Sequence, residues 1–317
     1  MDSKLTFKKP WIMQRADPYV YKHTDGIYYF TATVPEYDRI CIRCANSLSK
    51  LPEASEKEIW HKHWTGVMGH FVWAPEIHYL FGKWYIYFAA GEAEPDRIWE
   101  IRPYVLECQG KDPMNDPWIE KGKLVCHPED EFSFRAFSLD ATVFEVNNEW
   151  YIIWAEKVSV GKQISNLYIG RLKNAYTLDT VQVLLTTPDY DWERHNFWVN
   201  EGPAVLQRDG KIFVTFSASD TSSAYCMGML TADSRSDLLD PKSWDKSRYP
   251  VFKTSAENKI YGPGHNSFTV DDEGNDILVF HAREYEDIGQ GDPLNNPDRH
   301  AMLLPVTWEN GIPVFRC

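Results

Sequence analysis

No stretch of the 317-residue sequence holds about 18 consecutive apolar residues, the length a helix needs to cross a bilayer. The first residues, MDSKLTFKKPWIMQRADP, contain no apolar run of signal-peptide length and are interrupted by Lys8, Lys9 and Pro10. These absences set the expectation of a soluble protein that works in the cytoplasm. Positive charge is also in short supply. Against 46 Asp and Glu stand 33 Lys and Arg, a net charge of −13, so the surface field repels nucleic-acid backbones and anionic lipid headgroups. Neither nucleic acid nor a membrane is expected as a partner, and a neutral ligand fits better. Cysteines are few and scattered, at positions 41, 44, 108, 126, 226 and 317. The one close pair, Cys41 and Cys44, lacks the second pair that a zinc site needs. In the strand-like RICIRC, residues three apart also face opposite sides, so reduced thiols are expected. Long helical periodicity is missing as well.

What is plentiful is aromatic. Thirteen Trp, 17 Tyr and 16 Phe supply ample core material. Short alternating runs divided by turn signals about every dozen residues point to an all-β protein. Five segments can be laid over one another: RADPYVYKHTDGIYYFTAT, VWAPEIHYLFGKWYIYFAA, SLDATVFEVNNEWYIIWAE, VNEGPAVLQRDGKIFVTFSAS and GPGHNSFTVDDEGNDILVFHA. Each reads as strand, turn and aromatic strand. An aromatic anchor recurs at Phe30, Phe88, Trp154, Phe216 and Phe280, at intervals of 58, 66, 62 and 64 residues. A turn residue lies six before the anchor in the last four copies (Gly82, Asn148, Gly210, Gly274) and four before it in the first (Gly26). Repeated sheets around an axis make a propeller. The expected fold is a single-domain, five-bladed β-propeller over residues 1–317; the competing architecture is a β-sandwich, whose strands demand no such regular period. How the ring closes, and whether LTFKKP joins the last blade, the pattern leaves open.

In a propeller the first strand of every blade lines the central channel, so residues at its entrance converge. Counting back 13 to 15 residues from each anchor gives Asp17, Trp73 or Ala74, Asp140, Glu201 and His265. Alone, each carboxylate reads as a solvated turn residue; gathered on one axis, three of them suit glycoside hydrolysis. One protonates the leaving oxygen, another activates water or attacks carbon, and a third raises the pKa of the acid. Aromatic rings supply the other half of a sugar site, because sugar C–H faces pack on them. Trp73 stands at the right point, and the loop DYDWERHNFWVN brings Trp192, Phe197 and Trp198 just ahead of Glu201.

Together RADPYVY, WAPEIH, SLDATVF, NEGPAV and GPGHNSF, five motifs in order at blade spacing, resemble glycoside hydrolase family 43, the five-bladed propeller arabinosidases and xylosidases. The likeness spans residues 15 to 300, and DPLNNPDRH is similar to the family's tail. The resemblance implies Asp17 as general base, Asp140 as the pKa-modulating and orienting acid, and Glu201 as general acid. It implies inversion, with base and acid about 6.5 to 9.5 Å apart to hold a water between them. Trp73 matches a substrate-stacking tryptophan and Arg283 of HARE an arginine that reaches the sugar; Trp198 is added from its loop. His265 matches the axial histidine that in several members borders a hydrated calcium ion. Calcium prefers six to eight oxygens, so one histidine is weak support, and no cofactor is expected to be required.

Related retaining enzymes that cleave fructans carry NDPNG and RDP signatures, which are absent here. A propeller that binds glycans without turnover would not need all three acids. The substrate expected is a small oligosaccharide and the activity an exo-acting α-L-arabinofuranosidase, with β-D-xylosidase and endo-α-1,5-L-arabinanase as alternatives on the same fold.

Overall fold

The computed structural model describes residues 10–160 and 162–316. Among them the only helical elements are four short 3-10 turns. The strands form five antiparallel groups in chain order. The first comprises β1 (Ala16–Lys22), β2 (Tyr28–Thr33), β3 (Arg39–Ala45) and β4 (Lys57–His61); the second, β5 (His70–Leu80), β6 (Lys83–Gly91), β7 (Arg102–Cys108) and β8 (Trp118–Lys123). The third contains β9 (Ser138–Val146), β10 (Glu149–Val160) and β11 (Lys162–Asn174), with β12 (Thr177–Leu178) and β13 (Val183–Thr186) both paired to β11. The fourth runs through β14 (Trp198–Arg208), β15 (Lys211–Ala218), β16 (Cys226–Asp233) and β17 (Asp245–Lys246), and the fifth through β18 (Tyr261–Val270), β19 (Asp276–Arg283) and β20 (His300–Pro305). A hairpin of β21 (Thr307–Glu309) and β22 (Ile312–Val314) follows.

The first strands pack in succession: β1 on β5, β5 on β9, β9 on β14, β14 on β18, and β18 back on β1. The groups thus close into the expected propeller ring. Closure uses both ends of the chain, because the N–H groups of Trp11 and Ile12 donate to the Ala301 carbonyl and Ala301 N–H returns the bond to Ile12. Residues 5–9 of LTFKKP lie outside the described residues.

Second strands sit mid-sheet with neighbours on both sides, which is why they are rich in buried β-branched and aromatic residues rather than alternating with exposed polar ones. All six residues of YYFTAT in β2 are buried. The anchors Phe30, Phe88, Trp154, Phe216 and Phe280 are all buried, each removing an aromatic side chain from water at a gain of about 1.5–3 kcal/mol. The turn residues Gly26, Gly82, Asn148, Gly210 and Gly274 all adopt positive φ, between 64° and 86°, the left-handed conformation that tight turns require.

A second left-handed residue recurs where chemistry was expected. Asp17 (φ 51°), Ala74 (46°), Asp140 (55°), Gly202 (53°) and His265 (40°) occupy corresponding places in the five first strands. At each, the ladder to the second strand shifts register, the mark of a β-bulge. Pro18, Pro75 and Pro203 follow directly, where the chain has left the ladder and no N–H is missed. The bulge also frees the N–H of the left-handed residue, and the preceding group in the ring accepts it in four cases. Ala74 N–H donates to Thr33 Oγ1 (2.7 Å), Gly202 to Asp140 Oδ2 (3.0 Å), His265 to Ser217 Oγ (2.7 Å) and Asp17 to His281 Nδ1 (3.0 Å). The bulges thus tie neighbouring groups together in four places, and at Asp17, Asp140 and His265 the left-handed residue itself lines the interior cavity.

Candidate active site

The bulged strand starts converge on one cavity of about 250 Å³. Asp17, Asp140, Glu201, His265, Trp73 and Trp198 all line it. The strand-start frame is refined at two positions. In the second group Ala74 holds the left-handed place, so Trp73 is the residue before it, and Glu201 likewise precedes left-handed Gly202.

Asp17 is buried and embraced by cations. Its Oδ1 lies 3.2 Å from His265 Nδ1 and 3.7 Å from Arg299 Nη1, while Oδ2 accepts the Thr33 hydroxyl at 2.6 Å. Burial alone would raise its pKa, but the charges of His265 and Arg299 outweigh it and hold the carboxyl well below the usual range. His281 Nδ1 also lies 3.3 Å from Oδ1. Because that nitrogen accepts the Asp17 backbone N–H, it carries no proton to donate, and His281 is neutral. Burial agrees, pushing its pKa down to about 4.

Asp140 behaves oppositely. Its Oδ2 accepts the Gly202 N–H, while Oδ1 is buried with no hydrogen-bond partner. Burial raises its pKa, the nearby His265 charge opposes the rise, and the negative charges of Glu201 and Asp17 add to it. Glu201 Oε1 accepts the Tyr225 hydroxyl at 2.8 Å. Burial raises its pKa too, against the pull of Tyr225, His265 and Lys157. The cavity therefore holds one carboxylate kept ionised and two carboxyls kept toward their neutral forms. His265 stands between them, 3.9 Å from Asp140 Oδ2; burial disfavours its charge, yet the carboxylates of Asp17, Asp140 and Glu201 raise its pKa overall.

Aromatic walls complete the pit. Trp73 is stacked on Phe71 (ring centroids 4.7 Å apart), which also touches Trp99 at 4.6 Å. Trp198 lies under the Arg194 guanidinium at 4.3 Å. Arg283 departs from expectation: it does not line the cavity. Its guanidinium donates to Asn296 Oδ1, the Thr221 carbonyl and the Pro293 carbonyl, and so holds two cavity-lining residues in place. Arg299 of NNPDRH reaches the pit instead. Lys157 and Tyr225 also line it and were not anticipated, since Lys157 stands on β10 and Tyr225 in the loop just before β16, at places that do not recur between copies.

The surroundings of His265 do not fit direct coordination of calcium. Its Nδ1 faces Asp17, and among the described residues no group of three or more His, Cys, Asp or Glu side chains could hold a metal ion. None of the five described cysteines is in a disulfide.

The family model described as "Glycosyl hydrolases family 43" matches residues 7–313. The chain belongs to glycoside hydrolase family 43. Among curated family relatives, a protein of Streptomyces avermitilis named extracellular exo-α-(1→5)-L-arabinofuranosidase is 49% identical over 98% of this chain. The chain spans 63% of that relative's length. A protein of the same name from Streptomyces chartreusis is 47% identical over 90% of this chain and 85% of its own. Among solved structures, an α-L-arabinofuranosidase from Lactobacillus brevis superposes with a TM-score of 0.91 at 49% identity, covering 98% of this chain and 96% of the other. The two Streptomyces names overturn the expected cytoplasmic location. That expectation rested on the missing apolar runs of signal-peptide and membrane-spanning length. Among the described residues no helix is long and apolar enough to cross a membrane.

Proposed function

We propose that the chain is an inverting exo-glycoside hydrolase that releases terminal α-L-arabinofuranosyl residues from arabino-oligosaccharides or arabinoxylan fragments. The observation that carries this reading is the convergence of Asp17, Asp140 and Glu201 on one aromatic-walled pit, with Asp17 kept ionised and Glu201 kept toward its protonated form. The names of the relatives from Streptomyces and of the Lactobacillus brevis enzyme support the sugar. A cavity of about 250 Å³ suits one terminal sugar better than a threaded chain.

In this mechanism Asp17 takes a proton from a water that attacks the anomeric carbon. The carbon–oxygen bond to the departing sugar breaks, its electron pair goes to the leaving oxygen, and that oxygen takes the Glu201 proton. Asp17 ends protonated and Glu201 ionised, and exchange with solvent resets both. A water between base and acid places them about 6.5 to 9.5 Å apart. His265 and Thr33 fix the direction of the Asp17 carboxylate. Trp73 packs on the sugar face, and Trp198 borders the bound sugar.

The test is hydrolysis of para-nitrophenyl α-L-arabinofuranoside and β-D-xyloside with the anomer of the first product read by NMR. Faster release of arabinose, first seen as the β-anomer, is expected, and the Glu201→Ala variant should lose roughly 10²- to 10⁴-fold in kcat while still binding arabinose. A first product of retained configuration, or preference for the xyloside, sinks the reading.

A further inference from the structure

Lys157 is unlike the other cations of the pit. Arg299 faces Asp17 and donates to the Tyr37 hydroxyl, and His265 faces Asp17. Lys157 lines the same cavity, yet among the described residues its ammonium has no hydrogen-bond acceptor or ion-pair partner. What it touches is the Phe137 ring, with Nζ 3.9 Å from the centroid. A cation–π contact leaves the N–H donors of an ammonium unused, and a partly desolvated ammonium with no acceptor is costly. An ordinary surface lysine avoids that cost by extending its head into water. Here the head stays in the pit, where sugar hydroxyls are the acceptors that would arrive.

Position fixes which part of the substrate it meets. Lys157 pairs with Ser165 across β10 and β11, and Ser165 pairs with Val199 of β14, two residues before Glu201; of the three carboxyls, Glu201 is also the one whose charge bears on Lys157. Glu201 addresses the oxygen that departs, so a donor on its side of the pit meets the leaving group rather than the sugar held against Trp73. We propose that Lys157 is a specificity-determining residue that donates a hydrogen bond to a hydroxyl of the leaving-group sugar and so favours saccharide over aryl leaving groups. This rests on the role given above to Glu201.

The same placement touches the proton of the acid. Glu201 faces the Tyr225 hydroxyl, His265 and Lys157, which favour its ionised form, and the charges of Asp17 and Asp140, which oppose it. Removing the ammonium leaves one cation fewer, so the Glu201 pKa rises. A lysine that merely packs on Phe137 would still shift the acid's pKa by its charge, but it predicts no change in the preference between saccharide and aryl leaving groups.

The experiment compares wild type, Lys157→Met and Lys157→Arg on α-1,5-linked arabinobiose and para-nitrophenyl α-L-arabinofuranoside across pH. For Lys157→Met, the ratio of kcat/KM for arabinobiose to that for the aryl glycoside should fall roughly tenfold or more, and the alkaline limb of kcat/KM should move to higher pH. Lys157→Arg, which keeps charge and donors, should restore much of the ratio. An unchanged ratio in a folded Lys157→Met protein, or a ratio that falls while the alkaline limb stays put, overturns the proposal. Glu201→Ala is measured alongside: if it keeps its activity on arabinobiose, the acid assignment fails, whereas its loss together with an unchanged Lys157→Met ratio defeats this inference alone.

Discussion

Asp140 carries an awkward combination: a buried carboxyl with one oxygen satisfied by Gly202 and the other by nothing. Such a group is stable only if its charge is suppressed, and two neighbouring carboxyls suppress it further. By reciprocity the charge of Asp140, when formed, holds the proton on Glu201, so the two titrate as a pair and the last proton leaves late. Asn at position 140 preserves shape but removes that charge. Asp140→Asn should therefore move the alkaline limb of kcat/KM to lower pH, measured on the aryl arabinofuranoside; an unmoved limb would show that Asp140 does not tune the acid. At this scale sequence reading located cavity residues wherever their position follows from the repeat. Asp17, Asp140, Glu201, His265 and Trp73 were all legible by counting from the anchors, and the bulge explains why the count works. Arg283 was misleading, because HARE places a guanidinium near the pit without showing that backbone carbonyls claim it. Arg299, Lys157 and Tyr225 come from strand and loop positions without counterparts in the other copies, so nothing in the pattern could single them out.

The element that departs most from the repeat is the loop before β14. It contains a 3-10 turn at Asp191–Glu193 and delivers Phe197 and Trp198 to the cavity. Its organiser is Glu193, which is fully buried. One carboxylate oxygen accepts the N–H groups of Asp189 and Tyr190, both at 2.7 Å, and the other meets Asn200 Nδ2 at 2.8 Å and Lys246 Nζ at 2.7 Å. Asn200 immediately precedes Glu201, so Glu193 positions the proposed acid through Asn200. Glu193→Gln leaves the Lys246 ammonium beside a neutral amide and sets an NH₂ group against donors. Breaking such a buried pair should cost about 3–5 kcal/mol in urea unfolding and lower kcat more than it raises KM. A loss of stability under about 1 kcal/mol would mean the loop is held by other contacts. The five hairpins were readable because buried second strands and left-handed turns leave a periodic trace. This loop leaves none, since its order comes from one carboxylate satisfying four donors.

At the scale of the whole molecule, the ring is sealed by residues that are neighbours only once folded. Trp11 and Ile12 pair with Ala301 in β20 while the Trp11 ring meets Phe30 of β2 edge-on, with centroids 5.6 Å apart. The cluster around Trp11 joins Val20, Tyr28 and Phe30 of the first group to Ile277, Val279 and Ala301 of the fifth. A single pairing between opposite ends of a chain has no period to betray it, which is why closure was the part of the fold the sequence could not disclose. The seam also runs beneath the proposed base: Asp17 belongs to the first group, whereas His265 and His281, which touch it, belong to the fifth. Weakening the seam should therefore harm catalysis as well as stability. Trp11→Ala should cost about 3–5 kcal/mol in urea unfolding, a large share of the roughly 5–15 kcal/mol that holds a typical domain folded. Activity followed through the same urea series should vanish at or below the unfolding midpoint, because opening between β1 and β18 parts Asp17 from His265 before the remaining sheets melt. Full activity retained well into the unfolding transition would place the weakest joint of the ring elsewhere.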